Sequence, residues 1–440
     1  MHRESVGQFA TQVFIPRWLR EDPRFRATRP EDADLFFVPL MAKVLAHCLY
    51  KGGYWDAKQR RAAGGVDPAL AARLFELSKR NAKDPKRGRF AYPQPLFDGF
   101  TLVYRRAVEA LRALPGPGGK GGAPSYFDRR GARDHVFLWP SGAGPNYYLD
   151  WRATVRDAIF LSPECGCSQG LNDVLPPPRT LTYTGAFFAA MGAPRTPTVA
   201  CVQGVMADRG QRYFVPGKDV VIPGHTDLKD LGGKGHFIDP SLDRKRRPHL
   251  LQYCGDFDKS NERAIAGRIA AARGAFPKGA VAVTRAKCDS PREQGRSLFC
   301  LAPTGHSPWT LRFYEALFNG CVPVLLNRAK FLPPFPSVVP WDKMLVRFEE
   351  KPAKSFGVFV LLRELELMAQ KPHAPPPSLG GLPLADRQAL VRRYRAHVFY
   401  DVARHDGKPN AYEHVVEELA LRHAALARTL EAEAEAGAAG

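Results

Sequence analysis

The chain has 440 residues, long for one domain and comfortable for two, and its 45% hydrophobic and 25% charged content is that of a globular protein able to bury a core. A formal net charge of +20 invites a nucleic-acid or polyanion reading, but basic residues are scattered over both halves without a nucleic-acid-binding motif, so nucleic acid is not expected as a partner. No run of about 18 apolar residues offers a transmembrane helix, and no apolar stretch comes after Met1-His2-Arg3-Glu4 to make a signal peptide.

In chain order, Phe9, Val13, Phe14 and Trp18 fall on one face of a predicted helix over 8–20, and Pro23 and Pro30 interrupt regular structure beyond it. A buried strand is expected at 35–40, helices at 68–80 and 97–114, a Gly/Pro/Lys surface insertion at 115–124, and a strand at 135–139. That strand enters the glycine loop Pro140-Ser141-Gly142-Ala143-Gly144, which lacks the G-x-G-x-x-G spacing of a dinucleotide site. Pro176-Pro177-Pro178 is a stiff connector, and 218–223 is a short strand leading to His225 and Asp227. Arg244-Lys245-Arg246-Arg247, flanked by proline, reads as a solvated connector just before a strand at 249–255. The loop 255–260 then feeds a helix over 261–273. A Pro-rich connector at 372–383, a helix at 385–400, an amphipathic helix at 412–430 and a disordered low-complexity tail at 431–440 close the chain.

The eight cysteines, Cys48, Cys165, Cys167, Cys201, Cys254, Cys288, Cys300 and Cys321, are even in number but widely spread. Cys165-Gly166-Cys167 is a single C-x-C and weak as a metal site. Cys254, Cys300 and Cys321 lie in apparent strands, where buried free thiols are the default, although a lumenal protein could join one or two pairs.

The most informative stretch is 297–326, SLFCLAPTGHSPWTLRFYEALFNGCVPVLL. Residues 297–303 read as a buried strand and 304–307 as a tight polar loop. Ser307 can cap a helix whose first residue is Pro308 and whose length is roughly 12 residues. Gly320 stops it and a strand resumes at 321–326. A polar loop feeding a helix N-terminus is where parallel α/β sheets hold phosphates, because free N–H groups and the helix dipole both favour negative charge. Arg312 and Glu315 share one face of this otherwise apolar helix, as a ligand-binding pair or as a structural ion pair.

The segment resembles the C-terminal signature of the exostosin-type glycosyltransferases, family GT47, in its FCL-x-P-x-G-H-S-P opening, its R-F-Y-E-A-L core and its closing G-C-V-P-V. The blocks ADLFFVPL at 33–40, RDHVFLW at 133–139, KDVVIP at 218–223, and 332–341 with its V-x-x-W stand in the family's order, so the resemblance covers about 30–400. Many relatives carry His-Asp where Ser141-Gly142 stands here, so no role of that aspartate transfers.

Alternating strands and helices imply an α/β protein with mostly parallel sheets. The resemblance implies the GT-B arrangement, two Rossmann-like domains facing across a cleft. The domains expected are 1–235 on the acceptor side, 236–400 binding the nucleotide sugar, and 401–440 as a C-terminal helix and disordered tail, with 385–400 returning to the first domain. By resemblance the protein is an inverting glycosyltransferase that moves a sugar from a nucleotide sugar, a UDP-sugar first, to a cell-wall or secreted glycan or a glycoprotein. The alternative is a non-catalytic partner subunit in a hetero-oligomer with another glycosyltransferase. Family members are Golgi enzymes, typically with an N-terminal signal anchor, so a Golgi location is implied by resemblance alone.

The expected donor-binding residues are Gly255, Lys259, Gly305, His306, Ser307, Thr310, Arg312 and Glu315. Arg312 would face the diphosphate and Glu315 the ribose hydroxyls. The candidate base is His225, chosen over Asp128, Asp134 and Asp227 because imidazole titrates near neutral pH. No cofactor or metal is expected, on the reading that no D-x-D triplet occurs anywhere in the chain, and helix N-termini and cations should meet the diphosphate charge.

Overall fold

The computed structural model describes residues 11–40, 94–119, 123–139, 144–148, 150–163, 214–215, 217–226, 231, 237–258, 261–286, 288–304, 309–326, 332–348, 357–376, 381–400 and 409–439. The helix expected at 68–80, the loop residues 140–143, the connector at 176–178, and Cys48, Cys165, Cys167 and Cys201 lie outside the described residues. The rest divides into two units: residues up to 163 with 214–224 and 415–439, and residues 225–414.

The first unit contains α1 (Thr11–Glu21), β1 (Phe36–Val38), α2 (Gln94–Ala113), β2 (His135–Leu138), α3 (Trp151–Thr154), β3 (Ile159–Ser162) and β4 (Val220–Val221). Its sheet runs β1-β2-β3-β4, all parallel, with Phe36 opposite His135, Val136 opposite Ile159 and Leu161 opposite Val220. Parallel strands are covered on both faces, which is why these segments are continuous apolar runs rather than alternating ones. The core is aromatic: the Tyr104 ring stacks on Trp139 at 4.6 Å, and Trp139 meets Phe160 edge-on at 5.5 Å.

The second unit begins with β5 (His249–Cys254), α4 (Asn261–Ala272), β6 (Val281–Thr284), α5 (Ser290–Gly295), β7 (Ser297–Leu301), α6 (Leu311–Phe318) and β8 (Val322–Leu325). It continues with α7 (Trp341–Met344), β9 (Val346–Arg347), α8 (Gly357–Gln370), α9 (Leu384–Tyr394) and the start of α10 (Ala411–Ala439). The sheet order is β6-β5-β7-β8-β9, again all parallel, with Leu251 between Val281 and Phe299. Two disulfides tie this unit, Cys254–Cys288 and Cys300–Cys321, with Cα atoms 6.0 and 5.9 Å apart. The free thiols expected in these strands are therefore corrected. The first bridge joins the end of β5 to the residue before the cap of α5, and the second packs with Ala316 of α6 in the core.

Arg247 overturns the solvated-connector reading of 244–247 at its last residue. Arg246 stays at the surface, but Arg247 is only 1% exposed and among the largest fully buried side chains. Its Nη1 donates to the carbonyls of Gln294 (3.3 Å) and Ser297 (2.6 Å), and its Nη2 to those of Asp239 (3.0 Å) and Asn319 (2.8 Å). Gln294 and Asn319 end α5 and α6, so one guanidinium caps both helices where the dipole favours a cation. Burial pushes its pKa down to about 10, with the charge of Arg395 acting in the same direction. The close approach needs Gly320: its φ is +66°, and a Cβ there would lie 2.4 Å from the Ile238 carbonyl oxygen and 2.9 Å from Arg247 Nη2.

Three further expectations change. The helix after the 304–307 loop starts at Leu311 rather than Pro308, because β-branched Thr310 keeps an extended backbone (φ −142°, ψ 125°). The tail is helical through Ala439, since its alternating Glu and Ala are strong helix formers, and Glu433 pairs with Arg133 at 2.8 Å. The segment 385–400 stays in the second unit, and the residues that join the first are those of α10 from Val415 on. Among the described residues no helix is long and apolar enough to cross a membrane.

Replacing Arg247 with Leu keeps the site filled but removes the donor to the Ser297, Asp239 and Asn319 carbonyls, the Gln294 carbonyl keeping the Arg296 N–H, which should cost roughly 3 kcal/mol or more at about 1–3 kcal/mol for each unmet group. Gly320→Ala should also cost more than the ~1–3 kcal/mol of left-handed strain, since its methyl meets backbone. Urea melts of both variants check this, and a wild-type midpoint for either would remove the Arg247 junction as a determinant of the fold.

Candidate functional site

The order of the second sheet marks a candidate ligand position before any side chain is considered. From β5 the chain moves to β6 on one side, then crosses back to β7 on the other. The strand order thus reverses between β5 and β7, and in open parallel sheets ligands sit at the carboxyl ends of the strands that flank such a reversal.

The residues at that end are held by short, specific contacts. Beyond β7, the Thr304 N–H donates to Glu262 Oε2 at 2.7 Å and its carbonyl accepts from Arg263 Nε at 3.2 Å, so the first turn of α4 holds the backbone of Thr304 on both sides. Beyond β5, the Gly255 N–H donates to the Thr284 carbonyl at 3.1 Å and prolongs the ladder to β6. That N–H is engaged within the sheet and is not available to a phosphate. Burial raises the pKa of Tyr253 despite the opposing charges of Arg263 and Arg312, which places both cations near this end of the sheet.

Arg312 and Glu315 form the centre of the arrangement. Arg312 Nη1 donates to Glu315 Oε2 and to Ser290 Oγ, the latter at 2.7 Å. Glu315 Oε2 also accepts from Ser290 Oγ at 3.5 Å and from Gln294 Nε2 at 3.4 Å. Every one of these bonds falls on a single carboxylate oxygen and a single guanidinium nitrogen. Among the described residues no bond reaches Glu315 Oε1 or Arg312 Nη2 and Nε. With side chains 5% and 31% exposed, the pair is a buried acceptor beside a partly exposed cation. Such an arrangement can receive a ligand hydroxyl on Oε1 and an anion on the remaining guanidinium edge.

The ion pair foreseen as one of two readings is therefore present, together with unused donors and an unused acceptor. Thr310 is buried at the N-cap of α6, with no hydrogen bond from its side chain to the helix. Lys259, Gly305, His306 and Ser307 lie outside the described residues, as does Asp227. His225 is buried and stacks on Tyr400 with ring centroids 6.2 Å apart, and both of its ring nitrogens are shielded from solvent. Burial pushes the Tyr400 hydroxyl well above its ordinary range. Asp134 is fully buried: burial alone would raise its pKa, but the hydrogen bond from His135 and the charges of His135, Arg129 and Arg130 outweigh it and leave it lowered. Asp128 is engaged with Arg112 and Ser125. Both aspartates thus serve their local turn.

The sequence does carry D-x-D triplets, Asp32-Ala33-Asp34 and Asp256-Phe257-Asp258, so the expectation that none occurs is corrected and the ground it gave for expecting no metal falls. The second lies just past β5 at the candidate site. There Asp258 makes a two-point ion pair with Arg285 at 2.8 and 2.9 Å, and Asp256 Oδ1 accepts from the Asp258 N–H. No group of three metal-ligating side chains is found among the described residues.

Ser290, Gln294, Glu262 and Arg263 were not anticipated. Asp289-Ser290-Pro291 is a readable helix start, with Asp289 Oδ1 capping the Arg292 N–H, but six residues are too few for a periodic signal.

The Exostosin GT47 domain profile matches residues 120–364. A probable glucuronosyltransferase of Oryza sativa subsp. japonica is 43% identical over 63 residues, 14% of this chain and 14% of its own length. A probable glucuronosyltransferase of Physcomitrium patens is 43% identical over 56 residues, 13% of this chain and 12% of its own. A probable beta-1,4-xylosyltransferase of Arabidopsis thaliana is 35% identical over 81 residues, 17% of this chain and 19% of its own. The chain thus aligns with less than a fifth of the length of each. A solved GtfA/B complex covers 68% of this chain and 60% of its own at 8% identity, with a TM-score of 0.25, a likeness too slight to bear on the fold. Because the domain profile takes in more than half of the 440 residues, and because the signature at 297–326 and the parallel α/β units agree with it, the chain belongs to the exostosin GT47 family.

Proposed function

We propose that the protein is an inverting glycosyltransferase that uses a nucleotide sugar, a UDP-sugar first, to extend a secreted or cell-wall glycan or a glycoprotein. The observation that carries this reading is the Arg312–Glu315 pair at the strand-order reversal, with one acceptor oxygen and one guanidinium edge left for a ligand. Arg312 faces the diphosphate and Glu315 Oε1 accepts from ribose hydroxyls. The names of the relatives, glucuronosyl- and xylosyltransferases, support a sugar nucleotide as donor. The two disulfides fit a secretory-pathway lumen such as the Golgi, where bridges persist.

In the transfer, the acceptor hydroxyl oxygen bonds to the sugar's anomeric carbon on the face opposite the leaving group, a base takes the hydroxyl proton, and the bond to the diphosphate breaks with its electrons staying on the phosphate oxygen. The permanent charge of Arg312 lowers the cost of that developing charge in a partly dry site. His225 is retained as the candidate base. Its shielded ring nitrogens require that side of the second unit to open before a hydroxyl can reach them.

Calorimetric titration of UDP tests the donor site. Arg312→Ala should weaken UDP and flatten the salt dependence of binding, because a charge contact to phosphate is removed. Glu315→Gln should cost about 1.5–3 kcal/mol of affinity by exchanging a charged acceptor for a neutral one. If the pair is purely structural, both variants melt earlier while UDP affinity in the folded protein is unchanged. A UDP-release assay with a panel of UDP-sugars then tests turnover. His225→Ala should abolish release to acceptor, and unchanged turnover removes it as the base. EDTA should leave the rate as it is; a loss restored by Mn²⁺ would instead assign the diphosphate charge to a metal, with Asp256 and Asp258 the first residues to test.

A further inference from the structure

The pair that receives the donor is on α6, but most of what fixes it comes from α5. We propose that α5 is the positioning element of the donor site, with Ser290 as its contact and the Cys254–Cys288 bridge as its anchor. This rests on the nucleotide-sugar reading above and extends it to residues outside the family signature.

Ser290 Oγ can accept two hydrogen bonds and donate one. Here it accepts from Arg312 Nη1 at 2.7 Å and donates to Glu315 Oε2 at 3.5 Å, so one hydroxyl engages both members of the pair. Without it, Arg312 keeps only Glu315, three residues along the same helix, and its long side chain regains rotamers that a bound diphosphate must freeze out. Gln294 adds a second constraint: its Nε2 reaches Glu315 Oε2 at 3.4 Å while its Oε1 accepts from Asn319 Nδ2 at 3.1 Å. Together these contacts hold Oε2 and leave Oε1 as the ligand-facing oxygen.

A six-residue helix has no stability of its own, so its position must be imposed from outside. At its C-terminal end Arg247 takes the Gln294 carbonyl. At its front, Cys288 lies two residues before Ser290 and is bonded to Cys254, the last residue of β5. Gln252 Nε2 lies 3.3 Å from Cys254 Sγ, so the bridge itself is seated in the strand. Ser290 is therefore referenced to the carboxyl end of the strand beside which the donor binds.

The test is calorimetric titration of UDP into the full chain, with melting curves, for wild type, Ser290→Ala, Ser290→Thr, Arg312→Ala and the Ser290→Ala/Arg312→Ala double variant. Ser290→Ala should weaken UDP about tenfold, the size of one hydrogen bond to a charged group, and Ser290→Thr, which keeps the hydroxyl, should restore most of that. In the double variant the Ser290 change should add little to the Arg312→Ala loss, since it acts through the missing guanidinium. Replacing Cys254 and Cys288 with Ala should weaken UDP by about as much as Ser290→Ala. Replacing Cys300 and Cys321 with Ala should lower the melting temperature and leave UDP affinity of the folded protein unchanged. Wild-type affinity in Ser290→Ala, or additive losses in the double variant, overturns the positioning role, and equal losses from the two bridge deletions overturn the anchor. Wild type that does not bind UDP overturns the nucleotide-sugar reading itself and this inference with it.

Discussion

One buried cation sets the geometry of the second unit. Arg247 donates to four carbonyls, those of Asp239, the end of α5, the start of β7 and the cap of α6. A planar guanidinium can serve several acceptors in fixed directions, which an ammonium cannot, and helix C-termini supply the negative potential that an interior cation requires. Arg395, with the Ile238 carbonyl and Asp239, and Arg387, with carbonyls at Lys343, Leu345 and Leu382, extend the same device. Burial depresses all three to about 10, and all three stay cationic at neutral pH. Part of the large positive charge is thus interior structure rather than a surface for polyanions.

The consequence for the site is mechanical. Arg247 holds the C-terminal ends of α5 and α6 together, Asn319 and Gln294 join them by side chains just above it, and Ser290, Arg312 and Glu315 meet at the opposite ends. The two helices form a frame that is closed at the back and joined at the front around one carboxylate oxygen. Precise placement of a donor phosphate needs rigid support of this kind, because small displacements of a charge-bearing group cost large factors in rate.

The sequence revealed strands best where burial on both faces made them continuously apolar, as at β2, β5 and β7. It concealed β3, although that strand is as long and as fully buried as β2, and β6, which alternates in burial as VAVT. Buried arginines are illegible to a pattern that counts charge as exposure, and Arg247 stands at the end of a basic run that is otherwise at the surface. The Arg312–Glu315 pair itself was legible because two charges on an apolar helix demand an explanation. Its supports were not, because Ser290 and Gln294 lie 22 and 21 residues from their partners on a helix too short to show a period. The tail was misread because a Glu-Ala repeat is equally low complexity and strongly helical.

Amide hydrogen exchange with and without saturating UDP is the most direct measurement of where the donor sits. Protection should rise in the peptides spanning the carboxyl ends of β5 and β7, at 255–263 and 301–315, and in α5, with the strands β1 to β3 of the first unit unaffected. Protection confined to the first unit, or none in α5 and the 301–315 segment under saturating UDP, would contradict a donor site built on the Arg312–Glu315 pair.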